Sequence, residues 1–190
     1  QQISEGEHAE IEKGPLLATL KSFSKKTSKS LSGWSPPDLL EVAGEGEALD
    51  ELVALARFGE QHVVLPSTEW ITIIAFLGKA TGGERPIGVM GAICRTILKH
   101  RKGAATSWCS KKAGFWDCAV SKSSALQAAL RRTLRCEIAV WKGEKACMML
   151  WDAEQFYDNV ALDEVAAKAV EMDFPIVGLA MAYQAHAGQR

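Results

Sequence analysis

The apolar residues of this chain recur mainly at helical spacing, interrupted by two short continuous runs. Four of them define one face of an early helix: Leu49, Leu52, Val53 and Ala56. We expect this helix to end near Gly59. A helix start is also predicted after the turn residues 33–37, and start and stop signals predict three further helices, at 92–101, after Asn159, and over 176–187.

A long amphipathic helix is predicted from Ser124 onward, because Ser124 and Gln127 have the spacing of a capping box. Its apolar stripe consists of Leu126, Leu130, Leu134, Ile138 and Trp141. Its exposed side would carry Arg131, Arg132 and Arg135. A solvated face explains these arginines, although they could also follow a nucleic-acid backbone.

The two continuous apolar runs predict buried strands. Residues 70–77 are rich in β-branched and aromatic side chains, and Thr81-Gly82-Gly83-Glu84 predicts a hairpin turn before a return strand at 85–89. Residues 146–150 form the second run, which places Asp152 at the end of a strand, where α/β sheets tend to place their chemistry. The pattern as a whole predicts an α+β protein that is helix-rich, with short strands.

The first 31 residues differ in composition from the rest. Four glutamates precede a run rich in Ser and Lys at 21–30, which favours a mobile lead-in with one short helix at most. We therefore expect the folded domain to occupy residues 32–190.

Charge is distributed unevenly along the chain, although the net charge is only −1. Residues 79–135 contain 12 Lys and Arg against 2 Asp and Glu, whereas the segments on either side are acidic. A basic segment suits a polyanion or a triphosphate. It equally suits a solvated basic helix face, and charge alone does not separate the two.

The bulk features describe an ordinary globular domain. The 190 residues are enough to bury a core, and 47% of them are hydrophobic. The five cysteines are widely spaced and form no C-x-x-C, so a reducing compartment is the simpler interpretation. No signal peptide or membrane span is predicted, which favours an intracellular protein in nucleus or cytoplasm, with no membrane partner. Because the chain begins with Gln1, we expect a piece of a longer product.

The residues after the second apolar run resemble motif A of reverse transcriptases. In that motif a strand-terminal Asp is followed five positions later by Phe or Tyr and often, six positions later, by another Asp. Asp152, Tyr157 and Asp158 occupy these places. Asp158 is better explained as the cap of the following helix than as a metal ligand.

The hairpin supplies a second resemblance. Leu77-Gly78-Lys79 followed by Arg85-Pro86-Ile87 is similar to the fingers of reverse transcriptases, where the Lys and Arg hold the triphosphate of the incoming nucleotide. Two cations at the ends of a short hairpin suit phosphate oxygens, and Arg can bind them bidentately. The alternative is a surface hairpin with incidental charges.

These resemblances imply an incomplete right-hand polymerase fold of a non-LTR or group II-like retroelement (a retrotransposon-type element), with fingers at about 32–143 and the start of the palm at about 144–190. The implied reaction is RNA-directed DNA synthesis from deoxynucleoside triphosphates on an RNA template and a DNA primer. Asp152 would ligate two Mg²⁺ ions with help from the Ala153 carbonyl. Lys79 and Arg85 would bind the phosphates. Tyr157 would exclude a 2′-hydroxyl, which favours DNA over RNA synthesis.

Motif B and the [FY]-x-D-D box of motif C are both missing from the 190 residues. One carboxylate cannot hold two metal ions in working geometry, so we expect this nucleotidyltransferase fragment to be inactive alone. A non-catalytic nucleic-acid-binding remnant of such an element is the main alternative. An unrelated α/β enzyme that uses Asp152 alone is a third, but no nucleophile–base pair accompanies that residue.

Overall fold

The computed structural model describes residues 9–44, 46–114, 117–118, 123–149 and 160–187. Helices make up 60% of these residues, and the sheet among them has two antiparallel strands. The predicted α+β class is therefore confirmed. The chain divides into two compact units, of which the first contains residues 1–105 and 162–190 and the second contains residues 106–161.

The elements of the described residues follow one another in a simple order. In these ranges four helices come first, at Lys13–Lys21 (α1), Pro36–Ala43 (α2), Glu47–His62 (α3) and Ser67–Trp70 (α4). The hairpin strands Ile73–Gly78 (β1) and Glu84–Val89 (β2) follow. After the hairpin, the described ranges contain the helices Ala92–Lys112 (α5), Ala125–Trp141 (α6), Leu162–Glu171 (α7) and Ile176–Ala187 (α8).

Several of these helices begin where the sequence predicts. The Asp38 carboxylate accepts from the Ser35 N–H (2.8 Å) and the Ser35 hydroxyl accepts from the Asp38 N–H (3.4 Å), a capping box at the start of α2. The Ser124 hydroxyl accepts from the Gln127 N–H (3.1 Å) at the start of α6. The predicted bounds of α8 are confirmed at both ends.

The core of the first unit joins distant parts of the chain. Its main cluster consists of Ile11, Leu16, Val53, Ala56, Leu65, Cys94, Ile97, Met181 and Ala185. A second cluster contains Leu20, Ala43 and Leu49. α1, α3, α5 and α8 thus share one apolar interior, which stabilises the unit by removing these side chains from water.

The segment expected to be a mobile lead-in contributes directly to this core. Ile11 and Leu16 are fully buried and Leu20 is 1% exposed. The one short helix expected in this segment is α1. The segment from Ile11 to the end of α1 is packed into the core, however, and does not form a mobile lead-in. Leu16 and Leu20 are four residues apart, as on one helix face, but the glutamates before them and the Ser and Lys residues after them dominate the composition of the segment.

The hairpin differs from its prediction in burial and in extent. Trp70 belongs to α4, and β1 begins at Ile73. Every residue of β1 is exposed, including Phe76 at 63% and Leu77 at 52%. β-branched and aromatic residues predict a strand correctly, but they do not reveal whether another element covers it.

α5 is longer than expected, since it continues to Lys112 instead of ending at Arg101. Its buried residues are Ala92, Cys94, Thr96 and Ile97, all in the first half. The second half continues the helix without a buried face. A prediction from apolar spacing therefore stops too early.

Two further apolar stretches were predicted to be buried and are not. No residue of α6 is buried, and its stripe ranges from 51% exposed at Ile138 to 86% at Trp141. Residues 146–149 form no strand, and Met149 is 69% exposed. A strand needs a neighbour for its backbone hydrogen bonds, and the ladder that the structure describes joins only β1 and β2.

Candidate functional site

The hairpin ends in a tight turn that begins at Lys79. The Lys79 N–H donates to the Gly83 carbonyl (2.9 Å), and the Gly82 N–H donates to the Lys79 carbonyl (3.1 Å). Gly82 and Gly83 have φ values of 87° and 82°, in the region that residues with a Cβ avoid. The predicted turn is confirmed, and its two glycines allow the chain to reverse.

The strand register places the two candidate phosphate ligands on one face. Leu77 pairs with Arg85, and Gly78 pairs with Glu84. Side chains alternate between the faces of a strand, so Lys79 lies on the face that carries Leu77 and Arg85. Glu84 lies on the opposite face. The two cations are therefore diagonal neighbours across the hairpin, and the one carboxylate of the hairpin is separated from them.

Neither cation is neutralised within the part of the chain that the structure describes. Lys79 and Arg85 are both exposed, and none of the ion pairs there includes either of them. Their positive charges therefore face solvent on one side of the hairpin. Such a pair can attract an anion with several oxygens, because an ammonium and a guanidinium together offer many N–H donors.

The base of the hairpin is built around Glu69, which precedes β1 and is 3% exposed. Its carboxylate accepts from the N–H groups of Ile93 (2.7 Å) and Cys94 (3.3 Å), in the first turn of α5, and from the Ser32 hydroxyl (3.3 Å). Glu69 is not among the residues that the sequence pattern predicts to be functional. Its backbone partners lie 24 and 25 residues away, so no capping pattern of local spacing marks it.

Within the described residues, two cations on α5, unlike those on the hairpin, donate side-chain hydrogen bonds to other parts of the chain. The Arg95 guanidinium donates to the Ser28 carbonyl (2.8 Å), and burial lowers its pKa, an effect that the Glu69 charge opposes. The Lys99 ammonium donates to the Ser22 carbonyl (2.9 Å) and lies 3.7 Å from the centroid of the Phe23 ring. These two side chains hold the chain between α1 and α2 against α5.

Arg101 forms a closed, nearly buried pair with Glu60. Its Nε and Nη2 atoms donate to the two carboxylate oxygens at 2.6 and 2.5 Å, and Nη2 also donates to the Ala9 carbonyl (2.9 Å). The hydrogen bonds to Glu60 raise the pKa of Arg101. Burial, together with the neighbouring Arg101 charge, lowers the pKa of His100, whose Nδ1 lies 3.3 Å from the Thr19 hydroxyl.

A cavity of about 260 Å³ lies beside this pair and is also lined by Arg57. Arg57 donates to the Ile11 carbonyl (2.8 Å) and lies 3.3 Å from the Glu10 carboxylate. Both arginines of the cavity are thus matched by carboxylates. The described residues that line the cavity therefore carry no net positive charge to offer an anion, in contrast to the hairpin.

The candidate catalytic and metal-binding residues Asp152, Tyr157 and Ala153 lie outside the described residues, as does Asp158. The structure therefore puts Lys79 and Arg85 on one face of the hairpin but does not describe their position relative to Asp152. Among the residues that are described, no three His, Cys, Asp or Glu side chains form a group that could hold a metal ion.

No model of a known protein family matches the chain, and a search of curated proteins finds no significant match. No helix in the described ranges is long and apolar enough to cross a membrane.

Proposed function

We propose that this chain is the front part of a reverse transcriptase of a non-LTR or group II-like retroelement, and that its hairpin binds the triphosphate of the incoming deoxynucleotide. The proposal depends most on one feature of the hairpin: Lys79 and Arg85 share a face, without an acidic partner among the described residues. In a surface hairpin with incidental charges, we would expect the two cations to lie on different faces or to form ion pairs with acidic residues.

The chemistry of the two side chains suits a triphosphate. The Arg85 guanidinium can donate two parallel hydrogen bonds to phosphate oxygens, and the Lys79 ammonium supplies a compact positive charge. Since both side chains are exposed, water and salt screen them. We therefore expect weak, salt-dependent binding by this chain, with tighter binding only where further parts of a polymerase enclose the nucleotide.

The remaining parts of the proposal come from the sequence. Asp152, with the Ala153 carbonyl, would ligate Mg²⁺, which would supply charge neutralisation during phosphoryl transfer. Tyr157 would contact the sugar and exclude a 2′-hydroxyl. The RNA template and the DNA primer would be the macromolecular partners. Because motifs B and C are missing, the 190 residues by themselves would not extend a primer.

A non-catalytic nucleic-acid-binding remnant is the second candidate, and α6 favours it. This helix has no buried residue, and Arg131 and Arg132 are both exposed on it. Exposed arginines along a helix suit the phosphate backbone of RNA, with an affinity that falls steeply with salt.

Titration of the chain with dTTP and, separately, with inorganic triphosphate tests the leading proposal. We expect saturable binding of both, and we expect Lys79→Ala and Arg85→Ala each to weaken it by about fivefold to tenfold, the effect of one or two charged hydrogen bonds. Arg85→Lys should recover only part of the loss, because an ammonium cannot bind bidentately.

Two matched controls separate specific binding from bulk charge. Glu84→Gln alters the opposite face of the hairpin and should leave affinity within about twofold, because an exposed charge across the sheet is screened. Arg131→Ala removes the same charge as Arg85→Ala, but from α6. Equal losses for Arg131→Ala and Arg85→Ala would overturn the proposal. RNA binding that depends on Arg131 and Arg132, without dTTP binding, would support the remnant instead.

A further inference from the structure

We infer that Glu69 is a positioning residue for the hairpin: its carboxylate fastens the start of the hairpin to its end, and thereby fixes how Lys79 and Arg85 are presented. The inference rests on the proposed function of those two cations. It concerns a residue that touches neither of them and lies at the other end of the hairpin.

The carboxylate connects the two places where the hairpin leaves and rejoins the helical unit. Glu69 belongs to α4, just before β1, while Ile93 and Cys94 belong to the first turn of α5, just after β2. One oxygen, Oε2, accepts from both backbone N–H groups, and Oε1 accepts from Ser32. A single side chain therefore joins α4, α5 and the loop before α2.

This arrangement satisfies groups that would otherwise be unpaired. The first N–H groups of a helix have no partner within the helix, and the positive end of the helix dipole favours a carboxylate there. A buried carboxylate in turn needs hydrogen bonds to compensate for lost water. The contact between Glu69 and the start of α5 gives the helix N–H groups an acceptor and gives the buried carboxylate its donors. Replacing either partner alone would leave the other unpaired.

Gly91 shows how closely the two ends approach. A Cβ at this position would lie 2.3 Å from the Glu69 Oε2, 2.5 Å from its Cα and 2.6 Å from its carbonyl oxygen. Two of these atoms belong to the backbone, so they cannot simply rotate away. Glycine is what permits the contact, and the hairpin is closed at its base by backbone packing as well as by the carboxylate.

The hairpin depends on this base because little else holds it. Both strands are exposed along nearly their whole length, and a two-stranded hairpin alone is marginally stable in water. β1 has six residues and so spans about 20 Å. A rotation of the strand by about 10° at its base would therefore move its far end, next to Lys79, by about 3.5 Å, which is enough to lose a phosphate contact.

Amide hydrogen exchange on the intact chain tests the inference without nucleotide. In Glu69→Ala we expect amides of β1, β2 and the first turn of α5 to exchange at least tenfold faster, while amides of α3 keep their protection. The dTTP affinity should weaken by about fivefold, comparable to loss of one phosphate ligand. Glu69→Gln keeps one carbonyl acceptor and should recover part of both effects.

Three variants keep the result interpretable. Ser32→Ala removes only the hydrogen bond from the Ser32 hydroxyl to Glu69, so it should give a smaller change of the same kind. It replaces Glu69→Ala if that variant is too unstable to study. Gly91→Ala should release the hairpin as Glu69→Ala does, because it forces the two ends apart. Glu84→Gln, within the hairpin but away from its base, should leave exchange unchanged.

The two readouts separate the inference from the proposed function. Hairpin exchange that is unchanged in Glu69→Ala, or that rises equally in α3, overturns the inference whatever the nucleotide affinity. Failure of the unaltered chain to bind dTTP overturns the proposed function, whereas faster hairpin exchange in Glu69→Ala would still establish that Glu69 holds the hairpin.

Discussion

Two groups of cations lie in the same basic segment but have different surroundings. Lys79 and Arg85 are exposed on one face of the hairpin. On α5, by contrast, Arg95 and Lys99 donate to backbone carbonyls of the N-terminal region, and Arg101 is held by Glu60. Charge per segment therefore overstates the surface available to a polyanion, because Arg95, Lys99 and Arg101 bind their own chain.

The difference has a simple structural origin. α5 packs its first half against the core, so its cations lie beside α1 and the loop that follows it, where free carbonyl groups need donors. The hairpin strands use their backbone groups on each other and leave their side chains in water. Cations close to unsatisfied acceptors become structural, and cations far from them remain available to a ligand.

The largest expected effect comes from breaking the most enclosed of the α5 contacts. Arg101→Met should lower the free energy of unfolding by about 3–5 kcal/mol, because it leaves the Glu60 carboxylate buried without a partner. The side chains of Arg101 and Glu60 are only 15% and 9% exposed. Urea denaturation, monitored by tryptophan fluorescence, measures this change in the free energy of unfolding.

The matched control is Arg85→Met, which should stay within about 0.5 kcal/mol of the unaltered chain, as exposed substitutions usually do. The double variant Arg101→Met with Glu60→Met should recover most of the loss, because an apolar pair replaces an ion pair. Equal destabilisation by the two Arg→Met changes would remove the distinction between the two groups.

A somewhat smaller effect tests the N-terminal segment that α5 holds. Leu16→Ala should lower the free energy of unfolding by about 2–4 kcal/mol, because Leu16 is fully buried in the main cluster. Leu130→Ala is the same substitution on α6, where the side chain is 53% exposed. It should change the free energy of unfolding by less than about 1 kcal/mol. If Leu16→Ala were as mild as Leu130→Ala, the N-terminal segment would not be part of the core.

The smallest effect concerns the pH dependence of α5. Burial, followed by the Glu69 charge, raises the pKa of the Cys94 thiol to about 12, from an ordinary value of 9.0. The unfolded chain therefore loses the thiol proton first as pH rises. The contribution of Cys94 to stability should be fully present below pH 9 and should be lost between pH 9 and 12. The slope should reach about 1.4 kcal/mol per pH unit, so the loss at pH 10 should be about 1.4 kcal/mol.

Urea denaturation at pH 8, 9 and 10 measures this dependence against Cys94→Ala, which should lack the Cys94 contribution while retaining that of every lysine. Native iodoacetamide labelling adds a direct check. The exposed Cys109 and Cys147 should react readily at pH 8, and Cys94 should not. Identical pH slopes in the two proteins, or rapid labelling of Cys94, would show that this part of α5 is open to solvent.

Local features of the fold were predictable to a useful degree. The turn before α2, the Ser124 cap, the Gly82-Gly83 turn and the bounds of α8 follow from signals contained within a few residues. The side-by-side placement of Lys79 and Arg85 follows from the turn, because a tight hairpin determines its own register. Whether they bind a triphosphate stays a prediction.

Features that depend on distant partners were not predictable in the same way. The burial of Ile11 and Leu16, the hydrogen bonds of Glu69 and the use of Arg95, Lys99 and Arg101 all join residues far apart in the chain. The exposure of β1 and of α6 has the same origin, since an apolar stripe requires a neighbour to become buried and carries no information about where that neighbour lies.

The sequence by itself therefore determined the α+β class, the start of several helices, the hairpin turn and the shared face of two cations beside it, because short-range sterics and hydrogen bonding decide these. Only the tertiary structure decided which apolar faces enter the core and which cations are already bound by the chain. Those outcomes depend on packing between segments that are separated in sequence, and on the desolvation of charges that packing brings about.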